Sequence, residues 1–370
     1  MRRNSDVLLR IDWILLFAAM ALAAIGLLEI YGINASRGAT DIFQFKKQLL
    51  SAGLGVGIAL ICSWIDFRQL KSLALPIYIF GFVVLIASLI FGVSLNGGGR
   101  WFQLGSLSFQ PVELAKICFT LFLASYLPRH TRHRLTWTAF IGSGVALAGY
   151  LGLVILQPDF GSGMVLVAIW LACVLFCGLP RHAWWILLVG ITASSLLLWN
   201  FGLEDYQRKR LSSFVDPTAD PRGAAYNVTQ AQIALGSGGL FGKGIGEGSQ
   251  ARLRFLPVAT SDFMFAVIGE EMGFVGVSVV LLLFALLFYR LIRIGMIADD
   301  PAASVMTIGI AALIGFHLAV NAGMNVGVSP VTGIPLPFVS AAASSLVAMF
   351  LAIGLAQSVA TTSRQISKVE

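Results

Sequence analysis

Along most of its length the chain repeats one pattern: an apolar run about as long as a membrane-crossing helix, roughly 20 residues, then a short polar break. Ten such runs can be drawn, at residues 12–33, 48–65, 74–93, 111–127, 136–156, 162–179, 183–201, 263–289, 303–325 and 337–359. Backbone groups in lipid must be satisfied internally, and runs this long and this evenly apolar are helices rather than barrel strands. The pattern predicts an all-α, polytopic integral membrane protein. Residues 1–370 form a single ten-helix membrane domain in this reading, with one long connection, 202–262, between the seventh and eighth spans. No cleavable signal peptide is expected, because the first run is too long for one and no small-residue cleavage site follows it.

Composition agrees: 57% of the residues are hydrophobic and only 12% charged, against about 25% charged in soluble domains. The bases set the orientation. With the N-terminus cytoplasmic, the inner short loops and tails hold Arg2, Arg3, Arg10, Arg68, Lys71, Arg129, Arg132, Arg134, Arg181, Arg290, Arg293, Arg364 and Lys368. The outer short loops hold only Arg37, Lys46, Lys47 and Arg100. Both termini are therefore expected in the cytoplasm and the 202–262 connection outside. The net charge of +7 is mostly this topological bias, so it implies no nucleic-acid partner.

Residues 236–244, GSGGLFGKG, look at first like a phosphate-cradling loop. A P-loop needs Gly, four free positions, then Gly-Lys-Ser/Thr. Counting back from Gly242 and Lys243 puts Ser237 where the first glycine belongs, and Gly244 stands where the hydroxyl belongs. The motif fails at both ends, and an outer loop would meet no ATP. Cys62, Cys118, Cys173 and Cys177 all fall within spans, where thiols pack as small apolar groups. The four histidines make no metal pattern.

The informative residues are those that cost something to keep. A charge at mid-bilayer costs roughly 2.5–3.5 kcal/mol on insertion scales, so ionisable groups there are functional candidates. QPVELAKI, residues 110–117, puts Glu113 and Lys116 three apart on one face of the fourth span. Either they neutralise each other, or Lys116 faces a cavity holding an anion with Glu113 as its support. Arg100 and Trp101 follow a glycine hinge and serve either as an interface anchor or at the site. QPDFGS, residues 157–162, is a tight turn whose Asp159 is either a turn residue or part of a polar pocket at the outer mouth of the bundle.

The long connection is the densest region. DPTADPRG is turn chemistry, AAYNVTQAQIAL repeats apolar residues at helical spacing as an amphipathic segment, and GSGGLFGKG reads as its flexible exit. A loop this long and apolar is expected to fold back over the bundle. Asp262 closes it, at the doorway of the eighth span. It is either an N-cap, accepting from free helix N–H groups, or a general base in a partly dry cleft beside the loop's cations.

At this point the sequence resembles the shape, elongation, division and sporulation (SEDS) family of peptidoglycan glycosyltransferases, in particular its RodA branch. The motifs that carry the resemblance, in order along nearly the whole chain, are RWFQLGSLSFQPVELAKI, QPDFGS, DYQRKR with DPTADPRGAAYNVTQAQIALGSGGLFGKG, GSQARLRFLP leading to SDFMFAVIGEEMG, and NAGMNVGVSPVTGIPLPFVS. It implies polymerisation of lipid II, the undecaprenyl-pyrophosphate-linked disaccharide pentapeptide, on the outer face of the bacterial cytoplasmic (inner) membrane. It also implies Asp262 as the catalytic residue, Glu113 and Lys116 as the paired charges of the fourth span, and a class B penicillin-binding protein, a transpeptidase, as partner. The chemistry agrees. A pyrophosphate leaves without a proton, so the second carboxylic acid of a glycosidase is unnecessary and one base suffices. The phosphates want cations, which Lys116, Arg208, Arg210, Arg100 and Lys47 offer. No cofactor declares itself, although a divalent cation, magnesium or manganese, suits a carboxylate beside substrate phosphates.

Two departures stand out. The family's Leu-Pro-Glu before the catalytic aspartate is Leu256-Pro257-Val258, without the glutamate. Its Ser-Tyr-Gly-Gly-Ser-Ser is Ser340-Ala341-Ala342-Ala343-Ser344-Ser345. Beside the polymerase stand two other readings, a flippase or transporter of lipid-linked sugar and a ligase of lipid-linked glycan. The absence of a clear inverted repeat leans against the transporter.

Overall fold

The computed structural model describes residues 10–36, 42–94, 99–105, 107–131, 133–197, 199–200, 205–216 and 223–366. Of the features read above, the bases Arg2, Arg3, Arg37, Arg132 and Lys368 and the turn residues 217–222 of DPTADPRG lie outside them. The helices are α1 (Trp13–Ser36), α2 (Phe43–Trp64), α3 (Phe67–Ser72), α4 (Ala74–Phe91), α5 (Pro111–Tyr126), α6 (Trp137–Ile155), α7 (Phe160–Cys177) and α8 (Ala183–Leu197). They continue as α9 (Asp205–Val215), α10 (Ala224–Ser237), α11 (Ser249–Arg252), α12 (Met264–Glu271), α13 (Gly273–Ile297), α14 (Pro301–Val326) and α15 (Ala343–Ile366). Among the described residues, nine helical stretches are long and apolar enough to cross a membrane. The tenth predicted span, the seventh in order, is represented by the 15 residues of α8.

α15, mostly buried within the bundle, runs along α2, and small residues let the two backbones approach. A Cβ on Gly354 would lie 2.8 Å from Ala59 Cα, and one on Gly55 would lie 2.7 Å from the Phe350 ring. α10 packs on α12 and α14 with Ala225, Ala231 and Ala234 buried. The connection thus folds back over the bundle, as its apolar content predicts.

Three features depart from the sequence pattern. Residues between α4 and α5 form a small antiparallel sheet, β1 (Val93–Ser94), β2 (Arg100–Leu104) and β3 (Leu107–Phe109), in the order β1-β2-β3. The last predicted span starts late, because residues 336–342 are irregular and α15 begins at Ala343. The predicted 263–289 span is two helices, broken at Met272-Gly273. Gly273 has φ +65°, and a Cβ there would lie 2.3 Å from the Gly242 nitrogen.

That break is spliced by GSGGLFGKG. The N–H groups of Lys243 and Gly244 donate to the carbonyls of Glu270 and Glu271 at the end of α12, both at 3.0 Å. The carbonyls of Gly239 and Leu240 accept from Phe274 and Val275 at the start of α13, at 2.9 and 3.0 Å. Helix ends leave such groups without partners, and the glycine stretch satisfies both sets at once. It is not a flexible exit.

Candidate active site

The segment that enters α12 is held by its backbone. Three successive carbonyls point into the bundle and each meets a donor from another element. Thr260 O accepts from the Ala341 N–H at 2.8 Å, Ser261 O from the Ser340 hydroxyl, and Asp262 O from Nδ2 of Asn321 and of Asn325, at 2.9 and 3.2 Å. The N-cap position of α12 is Phe263, which supplies no side-chain cap. The cap comes instead from α14, where Asn325 Oδ1 accepts from the Ala266 N–H at 3.0 Å. Asp262 therefore does not cap this helix.

The Asp262 side chain lines a cavity of about 740 Å³, together with Arg210 of α9, Asp159, Gln110, Trp101 and Ser345. Asp262 and Arg210 flank one glycine. A Cβ on Gly333, where φ is +77°, would lie 3.8 Å from Asp262 Oδ2 and 3.9 Å from Arg210 Nη1. Burial pushes the Asp262 carboxyl above the ordinary aspartate range, while the Ser261 hydroxyl and the Arg210 charge pull it back down. A general base works best with its pKa tuned towards the operating pH.

Asp159 combines the two roles that its turn allows. Its Oδ1 accepts from the Ser162 N–H at 3.0 Å as the N-cap of α7, its Oδ2 accepts from Gln110 Nε2 at 3.1 Å, and it lines the cavity. Lys47 stands one residue behind the wall, donating to the Ser108 hydroxyl at 2.9 Å.

Four expected substrate contacts, Arg208, Arg100, Lys116 and Glu113, are not brought to the cavity wall. Arg208 donates to the Asn200 carbonyl at 3.1 Å. It lies two residues from Arg210 on α9, and positions i and i+2 do not share a helix face. Arg100 donates to the Gly92 carbonyl at 3.2 Å, at the C-terminal end of α4, where a cation suits the helix dipole. Lys116 is 1% exposed and pairs with Glu113 at 2.8 Å. Its ammonium also meets His317 Nε2 at 3.2 Å, and His317 Nδ1 faces the Pro335 carbonyl at 3.3 Å. A carbonyl can only accept, so Nδ1 carries the proton and Nε2 accepts from Lys116. The Lys116 charge is thus met by Glu113 and His317, because a charge this deep must find its partners within the protein.

The sequence reading missed His317, Asn321 and Asn325. Their signal was available, three polar side chains at i, i+4 and i+8 on one face of an otherwise apolar span.

The model of the "Cell cycle protein" family of FtsW, RodA and SpoVE matches residues 12–365. This chain belongs to the FtsW/RodA/SpoVE family. It is 33% identical to the peptidoglycan glycosyltransferase MrdB of Escherichia coli K12, covering 97% of this chain and 95% of MrdB. It is likewise 33% identical to the stage V sporulation protein E of Bacillus subtilis, over 95% and 98% of the two chains. A probable peptidoglycan glycosyltransferase FtsW of Trichlorobacter lovleyi is 33% identical, over 93% and 91%. Among solved structures, a chain from a peptidoglycan synthase complex that coordinates polymerization and crosslinking matches with a TM-score of 0.77, at 32% identity over 96% and 98%. The rod shape determining protein RodA of Thermus thermophilus matches with a TM-score of 0.69, at 31% identity over 95% and 96%. Within this FtsW/RodA/SpoVE chain, both departures from the family pattern border the cavity, since Val258, Ala341 and Ala342 line it.

Proposed function

We propose that this chain is an inverting peptidoglycan glycosyltransferase that polymerises lipid II on the outer face of the bacterial cytoplasmic membrane, with both termini inside. The observation that carries this reading is the half-buried Asp262 carboxylate, which shares one cavity with Arg210 on the two sides of Gly333. The 4-hydroxyl of one lipid II attacks the anomeric carbon of the growing chain, and lipid pyrophosphate departs from the opposite side. Asp262 takes the hydroxyl proton. Arg210 offsets the charge that gathers on the departing phosphate. Among the described residues no three His, Cys, Asp or Glu side chains converge as a metal centre. A divalent cation therefore enters the proposal only as an ion held by one cavity carboxylate together with substrate phosphates, and no step depends on it.

The partner in this reading is a class B penicillin-binding protein, supported by the match to a chain of a synthase complex that joins polymerization to crosslinking. We assign the chain to elongation and cell shape on its RodA-like GSQARLRFLP stretch, while FtsW, MrdB and SpoVE relatives at equal identity leave the branches level. The test is purified protein with lipid II, with and without such a partner, and products resolved by glycan length. Polymeric glycan that disappears in Asp262→Asn supports the proposal. Lipid II moved across a vesicle membrane without polymer, or joined only to a foreign acceptor, overturns it in favour of a flippase or a ligase.

A further inference from the structure

Asn321 and Asn325 lie one turn apart on α14, and both are completely buried. Burying a primary amide is costly unless its groups are paired. Asn325 Nδ2 donates to the carbonyls of Asn321, at 2.7 Å, and Asp262, at 3.2 Å, while its Oδ1 accepts from the Ala266 N–H at 3.0 Å. These partners fix which way the amide points, since an N–H can only donate and a carbonyl only accept. Asn321 Nδ2 donates to Asp262 O at 2.9 Å and to Ile334 O at 2.8 Å. The pair thus holds Asp262 on one side and the residue after Gly333 on the other.

An N-cap ordinarily belongs to the chain that enters the helix. In α12 that place is taken by Phe263, which is buried and carries no acceptor. We propose that Asn325 is a positioning residue for glycan transfer, acting as the cap of α12 from a neighbouring helix and fixing Asp262 through its backbone. Its value lies in what it leaves alone. Asp262 does not spend its carboxylate on the helix, so the oxygens remain turned to the cavity. No other small side chain does both jobs as well. Aspartate keeps the acceptor for Ala266 but brings a buried charge and no second donor for Asp262 O, and leucine takes the acceptor from the Ala266 N–H and leaves Asp262 O to Asn321 alone.

The inference rests on the reading of Asp262 as the base, and the experiment separates the two. Full-length Asn325→Ala, Asn325→Ser and Asp262→Asn are purified in detergent, and kcat and KM for lipid II polymerisation are measured beside thermal unfolding. Misplacing a catalytic group by about 1 Å can cost up to roughly 100-fold, so Asn325→Ala should lose about 10- to 100-fold in kcat at an unchanged KM. Serine, with one hydroxyl that both donates and accepts, should restore part of it. If the alanine variant does not fold, the serine variant must still show lower kcat at unchanged KM. A folded alanine or serine variant with kcat within about twofold of the parent, or one whose loss lies mainly in KM, overturns the inference alone, provided Asp262→Asn is inactive. An active Asp262→Asn overturns the base reading and this inference with it.

Discussion

Lys243 meets Glu270 twice: its backbone N–H donates to the Glu270 carbonyl at 3.0 Å, and its ammonium lies 2.7 Å from the Glu270 carboxylate, which is fully buried. The lysine of the apparent phosphate loop is therefore committed to the end of α12, as is the N–H of Gly244, which donates to the Glu271 carbonyl. The glycines serve this contact. Gly242 has φ +79°, and a Cβ there would lie 2.1 Å from the Glu271 carbonyl oxygen.

Gly242→Ala should accordingly destabilise the protein by about 1–3 kcal/mol through backbone strain alone, and more through the clash. Thermal unfolding in detergent checks this. ATP should not raise the unfolding temperature of the parent protein. A nucleotide-dependent rise would return the loop to phosphate binding.

Asp262→Asn should cut glycan synthesis by at least about 100-fold and yet stabilise the fold at neutral pH. Folding raises the Asp262 pKa, so as pH climbs from the acid range the unfolded chain releases its proton first. Stability that is present below the unfolded-state pKa is then lost as pH rises through the folded-state value. A neutral amide escapes that loss. Unfolding curves of the two proteins should converge at low pH and separate, with asparagine higher, towards neutrality.

Arg210→Gln removes a charge that favours the ionised carboxylate. The Asp262 pKa should rise further, and the acid limb of the kcat/KM profile should move to higher pH. Arg210→Lys should leave the limb close to its parent position, because the charge remains. An unmoved limb in the glutamine variant would show that Arg210 does not act on Asp262.

Lys116→Ala should destabilise by about 3–5 kcal/mol, since it strands the Glu113 carboxylate in the interior. Replacing both at once, Glu113→Leu with Lys116→Met, should recover most of that loss. Were Lys116 instead a substrate contact, the single variant would keep its unfolding temperature and lose affinity for lipid II.

For topology, exposed positions at the two ends of the bundle give opposite expectations. A cysteine replacing Ser212 on α9 should react with an impermeant thiol reagent in intact cells, and one replacing Arg129 after α5 should not. The reverse pattern would put the cavity on the cytoplasmic side.

What the sequence determined by itself are the features that each stretch settles alone. An apolar run of span length must become a helix in lipid, whichever helices surround it, and lysines and arginines orient it by their number in short loops. The cost of an ionisable group near the membrane likewise drew the reading to Asp262, Asp159, Glu113 and Lys116. Other features depended on what lies across the gap. Within 263–289 only Gly273 hints that α12 stops at Glu271, and the break holds because the groups it exposes are satisfied by residues 239–244. Arg208 and Arg210 read alike in sequence, and only the placement of α9 separates the one on Asn200 from the one beside Gly333. Asn325 shows no role until α14 lies against α12. Hydrogen bonds and cavities need two partners at fixed distance and angle, and for residues dozens of positions apart only the packing of helices sets them.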